Sequence, residues 1–442
     1  MLTLLFLAGT AAATPPNVLV IVADDLGVDK VAAYGVGLEH VPPTPNLDTL
    51  AEEGVLFEHA YAMPICSPTR ATLQTGRMPW RHGVSRALSP RGTMHLPYSE
   101  ITLAELLTQG TDGDYTSVAL GKWHLGHGGH DILNHATDQG YAHYAGQMGD
   151  FGEDHTSDGS PQSYFLWEKN TDGELAWVEV YATTDTVNDA IAQLDTLEPP
   201  WLLWVAFNAP HAPWHEPPPE LTSEPVGATA IQRQYNAMVE AMDTEIGRLL
   251  AHLDAGPHAD DTLVVALGDN GTPPDATSAP FHETNAKGTV YEGGIRIPLI
   301  IRGPRVVEPG RRVPHLVQAS DLFATVAEVA NVDLSASPIE HDSVSMVPYL
   351  TDPATPAMRS TVYSETFGPV GRGPYTFVRR AVRDERYKLV QKWWLGLGSL
   401  YELYDLEGRD AEGIDLMAGV LSPEHRAVYL RLAAELPWEV PE

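Results

Sequence analysis

The chain has 442 residues and a formal net charge of −32, from 27 Lys+Arg against 59 Asp+Glu, which argues against nucleic acid or an anionic membrane as a general partner. With 43% hydrophobic and 19% charged residues, it has the composition of a soluble globular protein of two or three domains, or of one large α/β domain with an appendage. No internal stretch reaches the roughly 18 apolar residues of a membrane-spanning helix.

Residues 1–13 are a short apolar run ending in Ala11-Ala12-Ala13, followed by Thr14-Pro15-Pro16. This A-x-A-like end without a basic n-region reads as a signal peptide, so the expected location is periplasmic or secreted. Four later apolar runs have the length and β-branched content of buried parallel strands, and each ends in polar residues. Asn17–Ala23 leads into Asp24-Asp25, and Ser117–Leu120 into Gly121-Lys122-Trp123-His124. Trp201–Phe207 leads into Asn208-Ala209-Pro210-His211, and Thr262–Leu267 into Gly268-Asp269-Asn270-Gly271. Between them lie helical patterns. Thr44-Pro45 opens one that closes at Gly54, Ile231–Leu253 keeps a 3.6-residue period, and Ile101–Gln109, Thr186–Leu197 and Asp321–Val329 are shorter candidates.

Alternating strands and helices predict a doubly wound α/β sheet, whose ligands gather at the carboxyl ends of the strands, so the four polar ends should converge on one site. Gly126–Glu174, rich in Gly, His, Asp and Ser, reads as long loops at the substrate rim. After about Pro353 the pattern changes to β-like runs over Thr376–Val382, Tyr387–Trp394 and Leu400–Asp405, then an apolar-periodic tail over Pro423–Leu436. This predicts a small antiparallel sheet with a terminal helix.

Asp24-Asp25 and Asp269-Asn270 offer only oxygen ligands, the set that hard Ca²⁺ or, less favoured, Mg²⁺ prefers. Either pair alone reads better as a solvated turn or helix cap; two at convergent strand ends favour a metal. The single cysteine, Cys66, excludes an intramolecular disulfide. In Cys66-Ser67-Pro68-Thr69-Arg70, Pro68 suits a first helical turn, so the thiol is expected at a helix N-terminus with a lowered pKa and Arg70 within reach. His124, His127, His130 and His135 resemble a metal cluster, but no Cys or carboxylate stands at a tetrahedral zinc spacing. His215 reads as a loop residue at the edge of the site. Core packing is the safer expectation for each of Trp80, Trp167, Trp177, Trp214, Trp393 and Trp394, with Trp214 and the Trp393-Trp394 pair the best candidates among them for stacking on a substrate ring.

These motifs resemble the type I sulfatases of the alkaline phosphatase superfamily. Their signature, Cys-x-Pro-x-Arg followed by a helix and Thr-Gly-Arg, stands here from Cys66 to Arg77, and the second signature runs from Tyr115 to His124. Asp24-Asp25-Leu26-Gly27, Thr44–Asp48, Asn208–His211, Asp269–Gly271, Lys287–Arg296, Arg386–Leu389 and Glu402–Leu406 fit as well. The resemblance implies an alkaline-phosphatase-like fold: a large mixed, mostly parallel sheet flanked by helices, in a catalytic domain over 17–353, with a C-terminal antiparallel subdomain over 354–442. It implies hydrolysis of an aryl or carbohydrate sulfate monoester through a formylglycine sulfate intermediate, Cys66 being oxidised to Cα-formylglycine by a maturation enzyme. Asp24, Asp25, Asp269, Asn270 and modified Cys66 would bind Ca²⁺, and Arg70, Lys122, His124, His211 and Lys287 would surround the ester. Within the superfamily, a formylglycine-dependent phosphodiesterase or phosphonate hydrolase is the alternative; unmodified Cys66 would leave a silent sulfate-binding protein. Two departures stand out: Gly268, where the family more often has Ser or Thr, and Leu73-Gln74 in place of two apolar residues. Oligomeric state, natural substrate and exo or endo action have no signature in the sequence.

Overall fold

The computed structural model describes residues 15–37, 39–88, 94–126, 133–152, 160 and 162–439. The expected leader, His127 and His130 lie outside these residues.

Among the described residues, fifteen strands form two sheets. The first contains β1 (Asn17–Ala23), β2 (Val55–Tyr61), β3 (Thr116–Gly121), β4 (His143–Gly146), β5 (Trp167–Thr171), β6 (Glu174–Val178), β7 (Trp201–Ala206), β8 (Thr262–Gly268), β9 (Arg296–Ile297), β10 (Leu299–Arg302) and β11 (Arg311–Gln318). Its order is β11-β2-β10-β8-β1-β7-β3-β4-β5-β6, with β9 paired to β2. The four strands expected from their apolar runs are neighbours at its centre, β8-β1-β7-β3, all parallel, so their carboxyl ends do share one edge. β10, β5 and β6 run antiparallel to their neighbours, which makes the sheet mixed.

Side chains alternate across a strand, and β1 shows the result. Val18, Val20 and Val22 enter one core with the helices Cys66–Thr75, Leu103–Gly110 and Asp321–Val329. Leu19, Ile21 and Ala23 enter the other, under the helices Pro45–Glu53, Ala182–Leu194 and Ala230–Ala255. Thr44 stands at the N-cap position of Pro45–Glu53, but the cap comes from the long helix: Asp243 accepts from the Asn46 and Leu47 amides at 3.0 and 2.8 Å.

The second sheet is antiparallel, β12 (Val362–Gly368), β13 (Phe377–Arg383), β14 (Tyr387–Trp394) and β15 (Gly398–Asp405), and a helix over Pro423–Ala434 packs on it. It joins the main sheet through apolar contacts of Val362 with Tyr61, Ile295 and Leu316, and through a buried cluster in which Glu292 bonds Lys388, Arg383 and Tyr61.

The reading of Gly126–Glu174 as loops is corrected by β4, β5 and β6. β5 and β6 form a hairpin whose last pair is Thr171 with Glu174, and Asp172 and Gly173 turn it with φ of 50° and 90°. Asp-Gly between two β-prone runs is the signal for such a turn, masked here by the polar composition around it.

Candidate functional site

At the carboxyl edge of the four central strands the loops bring the motif residues into one buried cluster. Asp24 and Asp25 follow β1, and Asp25 adopts φ 68°, a left-handed conformation that Asp tolerates better than most residues. The Asp25 amide donates to Asp269 Oδ1 at 2.9 Å, which ties the β1 end to the β8 end. Atoms of Asp24, Asp25 and Asp269 able to ligate a cation all lie within 4.8 Å of one another. Asn270 donates to Asp25 Oδ1 at 2.8 Å, while Asn270 Oδ1 and Asp24 Oδ1 are buried with no hydrogen-bond partner among the described residues. Unsatisfied buried oxygens are costly. Three carboxylates and an amide oxygen in one place fit a hard divalent cation, and these are the residues that would hold it. Asp24, Asp150 and His211 form a second such group. There, however, the Lys122 ammonium already bonds both carboxylates.

Cys66 begins the helix Cys66–Thr75, and its Sγ lies 3.3 Å from His124 Nδ1. The expected lowering of the thiol pKa is not found. Burial pushes Cys66 up to about 12, and the Lys122 and Lys287 charges only partly offset this. Enclosure on all sides outweighs the helix dipole, so an unmodified thiol here stays protonated and inert.

Arg70 lies one turn on and bonds Asp269 Oδ2 at 3.0 Å and the Lys122 carbonyl at 2.8 Å. Lys287 Nζ reaches Asp25 at 2.6 Å. Burial opposes the charge on Lys122, yet Asp150 and Asp24 hold its pKa well above the usual lysine range. Asp24 is held low in turn: burial raises it, but Lys122, His211 and Arg70 prevail. For Asp269, burial and the neighbouring Asp24 push the carboxyl up despite Arg70.

The two histidines have assignable tautomers, because a carbonyl can only accept. His124 Nε2 faces the Leu88 carbonyl at 3.3 Å, so Nε2 donates there and Nδ1 turns its lone pair to Cys66. His211 Nδ1 donates to the Ala212 carbonyl at 2.8 Å, which leaves Nε2 facing the site, 3.8 Å from Asp25 and 3.7 Å from Asp150. All ten motif positions therefore meet at one edge.

Asp150 joins them without a signature in the sequence. It lies in the Gly149-Asp150-Phe151-Gly152 turn beyond β4, bonds Lys122 and stands 3.8 Å from His124 Nε2. Burial raises its pKa, but His124, His211 and Lys122 hold it well below the usual carboxylate range.

The remaining candidates have structural roles. His135 accepts from Trp123 Nε1 at 2.9 Å and bonds the Leu96 carbonyl, which removes it from any metal cluster. His215 bonds Tyr181 in the loop beyond His211. Trp393 is buried against Phe367 and Val378 rather than at a rim, whereas Trp177 is exposed and not in the core. Gln74 is buried but satisfied by Tyr141, which it both donates to and accepts from. A Cβ on Gly268 would meet the Leu26 carbonyl at 2.2 Å, so the close packing of the Asp25-Leu26 turn excludes Ser or Thr there.

The sulfatase family model matches residues 16–332, and the model for the C-terminal part of N-sulphoglucosamine sulphohydrolase matches 282–437. The chain belongs to the sulfatase family. N-acetylgalactosamine-6-sulfatase of Canis lupus familiaris is 31% identical over 362 residues, an alignment spanning 75% of this chain and 66% of that relative. Arylsulfatase A of Bos taurus is 29% identical over 420 residues, 88% of this chain and 77% of the relative. Against the N-acetylgalactosamine-6-sulfatases of Canis lupus familiaris and Homo sapiens, the sulfatase chain covers 66% and 64% of the relative's length. Among solved structures, Ps i-CgsB in complex with a neocarrahexaose superposes with a TM-score of 0.76 at 26% identity, covering 96% of this chain and 92% of that one. A second, in complex with its substrate D-glucosamine-2-N,6-O-disulfate, has a TM-score of 0.74 at 21% identity over 96% of this chain and 97% of that one, and shares the fold. No described helix is long and apolar enough to cross a membrane.

Proposed function

We propose that this sulfatase is a Ca²⁺-dependent sulfuric ester hydrolase acting on a carbohydrate or aryl sulfate, with Cys66 converted to Cα-formylglycine by a maturation enzyme and the leader over 1–13 directing export. One observation carries the proposal. A thiol raised to about 12 sits 3.3 Å from His124 Nδ1, beside two lysines and a carboxylate cluster, so the side chain at the centre of the site is inert as translated. Converted to formylglycine, residue 66 would supply a hydrated aldehyde, with one hydroxyl as the nucleophile and a second that a base could deprotonate. Asp24, Asp25, Asp269 and Asn270 would hold Ca²⁺, which would supply positive charge at the site.

The chain's own residues do the rest. Lys122, Lys287 and Arg70 present fixed positive charge where the anionic ester binds and where negative charge grows. Lys287 and His211 side chains are each 18% exposed, against 0% for Lys122, so they face the opening through which the alcohol departs. His211 can give that oxygen a proton from Nε2 only as an imidazolium, whose charge the Asp25 and Asp150 carboxylates would face, and His124 Nδ1 is placed to take one from the group at position 66. The Leu88 carbonyl holds His124 in the tautomer with a free Nδ1 lone pair, and the Ala212 carbonyl holds the His211 ring with Nε2 toward the site.

The name N-acetylgalactosamine-6-sulfatase and the neocarrahexaose in complex with Ps i-CgsB support a carbohydrate sulfate as substrate. A panel of an aryl sulfate, a sulfated saccharide, a phosphate monoester and a phosphate diester tests the proposal. Sulfate release from the first two, abolished by Cys66→Ala in a folded protein, is expected; a dominant diesterase rate would assign the phosphodiesterase reading instead.

A further inference from the structure

Residues 59–99 form an acid-free stretch that carries five arginines; Arg91 lies outside the described residues, and three of the other four have carboxylate partners: Arg70 with Asp269, Arg77 with Glu100, and Arg81 with Glu340 and Asp342. Arg86 has no ion-pair partner among the described residues. It is exposed, and its guanidinium lies 5.4 Å from the centre of the Phe377 ring. Arg379, half-buried on β13, lies 5.9 Å from the centre of the same ring and likewise has no ion pair among the described residues. Two uncompensated cations around one ring repel each other unless an anion joins them.

Their placement relates them to the catalytic pocket. Ser85 donates to the Phe367 carbonyl at 2.7 Å and accepts from Thr366 at 2.9 Å, which fastens this segment to the end of β12. Leu88, two residues beyond Arg86, accepts from His124 and donates its amide to Ser67 Oγ at 3.1 Å. Two residues of chain span at most about 7 Å, so the Arg86 backbone lies within that distance of the residue holding the catalytic histidine. On the other side, Ala381 and Val390, partners across β13 and β14, pack on Val290, three residues beyond Lys287. Side chains alternate along a strand, so the pair Arg379 and Lys392 shares that face one step further along. Lys392 is neutralised by Glu402 at 2.6 Å and bonds Tyr291. The ledge thus adjoins both segments that flank the pocket, 85–88 and 287–291.

We infer that Arg86 and Arg379, with Phe377 between them, form a second anion-binding subsite. It takes a sulfate or carboxylate group on a neighbouring sugar of a saccharide whose sulfate ester enters the catalytic pocket. The inference rests on the sulfate ester reading and sharpens it, from any sulfate ester to a multiply anionic oligosaccharide. Guanidinium forks match such oxyanions, and the aromatic surface suits the apolar face of a sugar ring. The position also answers a physical problem: a chain at −32 repels a polyanion at long range, so capture needs a local positive field.

Binding decides this independently of turnover. In a Cys66→Ala background, calorimetric titration with a heparin tetrasaccharide at low salt should show affinity lowered about tenfold by the double change Arg86→Gln, Arg379→Gln, as expected for two exposed charge contacts. Arg379→Lys, which keeps the charge, should recover part of it, and added salt should narrow the difference. In the Cys66-containing enzyme, the glutamine changes should leave kcat/KM for para-nitrophenyl sulfate unchanged. Equal tetrasaccharide affinity with and without the two arginines, or no binding by the Cys66→Ala parent, would overturn the subsite. A matched loss on the aryl ester would overturn it too, because the change would then be a general disturbance of the pocket. Absence of all sulfate ester turnover by the formylglycine-containing enzyme would contradict the hydrolase reading instead.

Discussion

At Cys66 two physical effects oppose each other, and their relative size decides the chemistry. A helix N-terminus favours an anion, but complete burial disfavours the thiolate more strongly, and the thiol rises to about 12. The motif around Cys66 was legible in the sequence because its residues are contiguous; the burial was not, because it comes from loops far apart in the chain. Asp150 shows the same limit. Its neighbours in sequence are Gly, Met and Phe, and its role arises only where the loop beyond β4 folds over Lys122, His124 and His211. Asp150→Ala removes the carboxylate that holds the Lys122 ammonium beside Asp24 and faces both histidines. The expected result is a fall in kcat/KM on an aryl sulfate of about tenfold or more, corresponding to ~1.4 kcal/mol or more of lost transition-state stabilisation. Steady-state kinetics on the variant checks this, and an unchanged kcat/KM would remove Asp150 from the machinery.

Among the elements, those with strong periodicity were readable at once. Asp321–Val329 and Asn17–Ala23 form with the bounds their patterns suggest, since both bury continuous apolar surface against a sheet or helix layer. β2, β10, β11 and β12 were not readable, because each is short or interrupted by charge. Glu58-His59 breaks the apolar run of β2, and Arg311-Arg312 opens β11, where the pairing between the strands supplies what the local sequence lacks. Gly268 marks a point where one element constrains another. Gly268→Ser would drive a side chain into the Leu26 carbonyl and displace the Asp25-Leu26 turn. Denaturant unfolding should show a loss of about 1–3 kcal/mol, the usual cost of overpacking a tight contact. Activity should fall with it, since Asp24 and Asp25 lie on the displaced turn.

Across the whole molecule, the charge of −32 describes the surface, and the acid-free stretch describes the site. Arg70 enters the pocket, Arg77 and Arg81 pin the stretch to Glu100, Glu340 and Asp342, and Arg86 reaches the ledge. The same stretch gives the fold a pH dependence. Burial, with Arg77 nearby, lowers His82 to about 3, and burial, with Arg296 and Arg383 nearby, lowers His59 to about 3. His82 Nδ1 accepts from the Val84 amide at 3.1 Å, so the ring must stay neutral in the native state. Both values lie below the unfolded value of about 6.5, so the unfolded chain takes up protons first on acidification. Stability is therefore fully present above pH ~6.5 and is lost as the pH falls toward 3. Melting temperatures measured from neutral pH downward should fall across this window. His82→Asn, which keeps an acceptor without a titrating group, should flatten the fall; an unaltered slope would place the effect elsewhere.

All of these scales meet at residue 66, where a buried, inert thiol occupies the centre of a site built for an anionic ester. Mass spectrometry of the peptide spanning Cys66, from protein purified out of its native host, reads the state of this side chain. The expected residue has lost its sulfur and carries an aldehyde; an intact cysteine thiol in that protein would rule out the formylglycine mechanism.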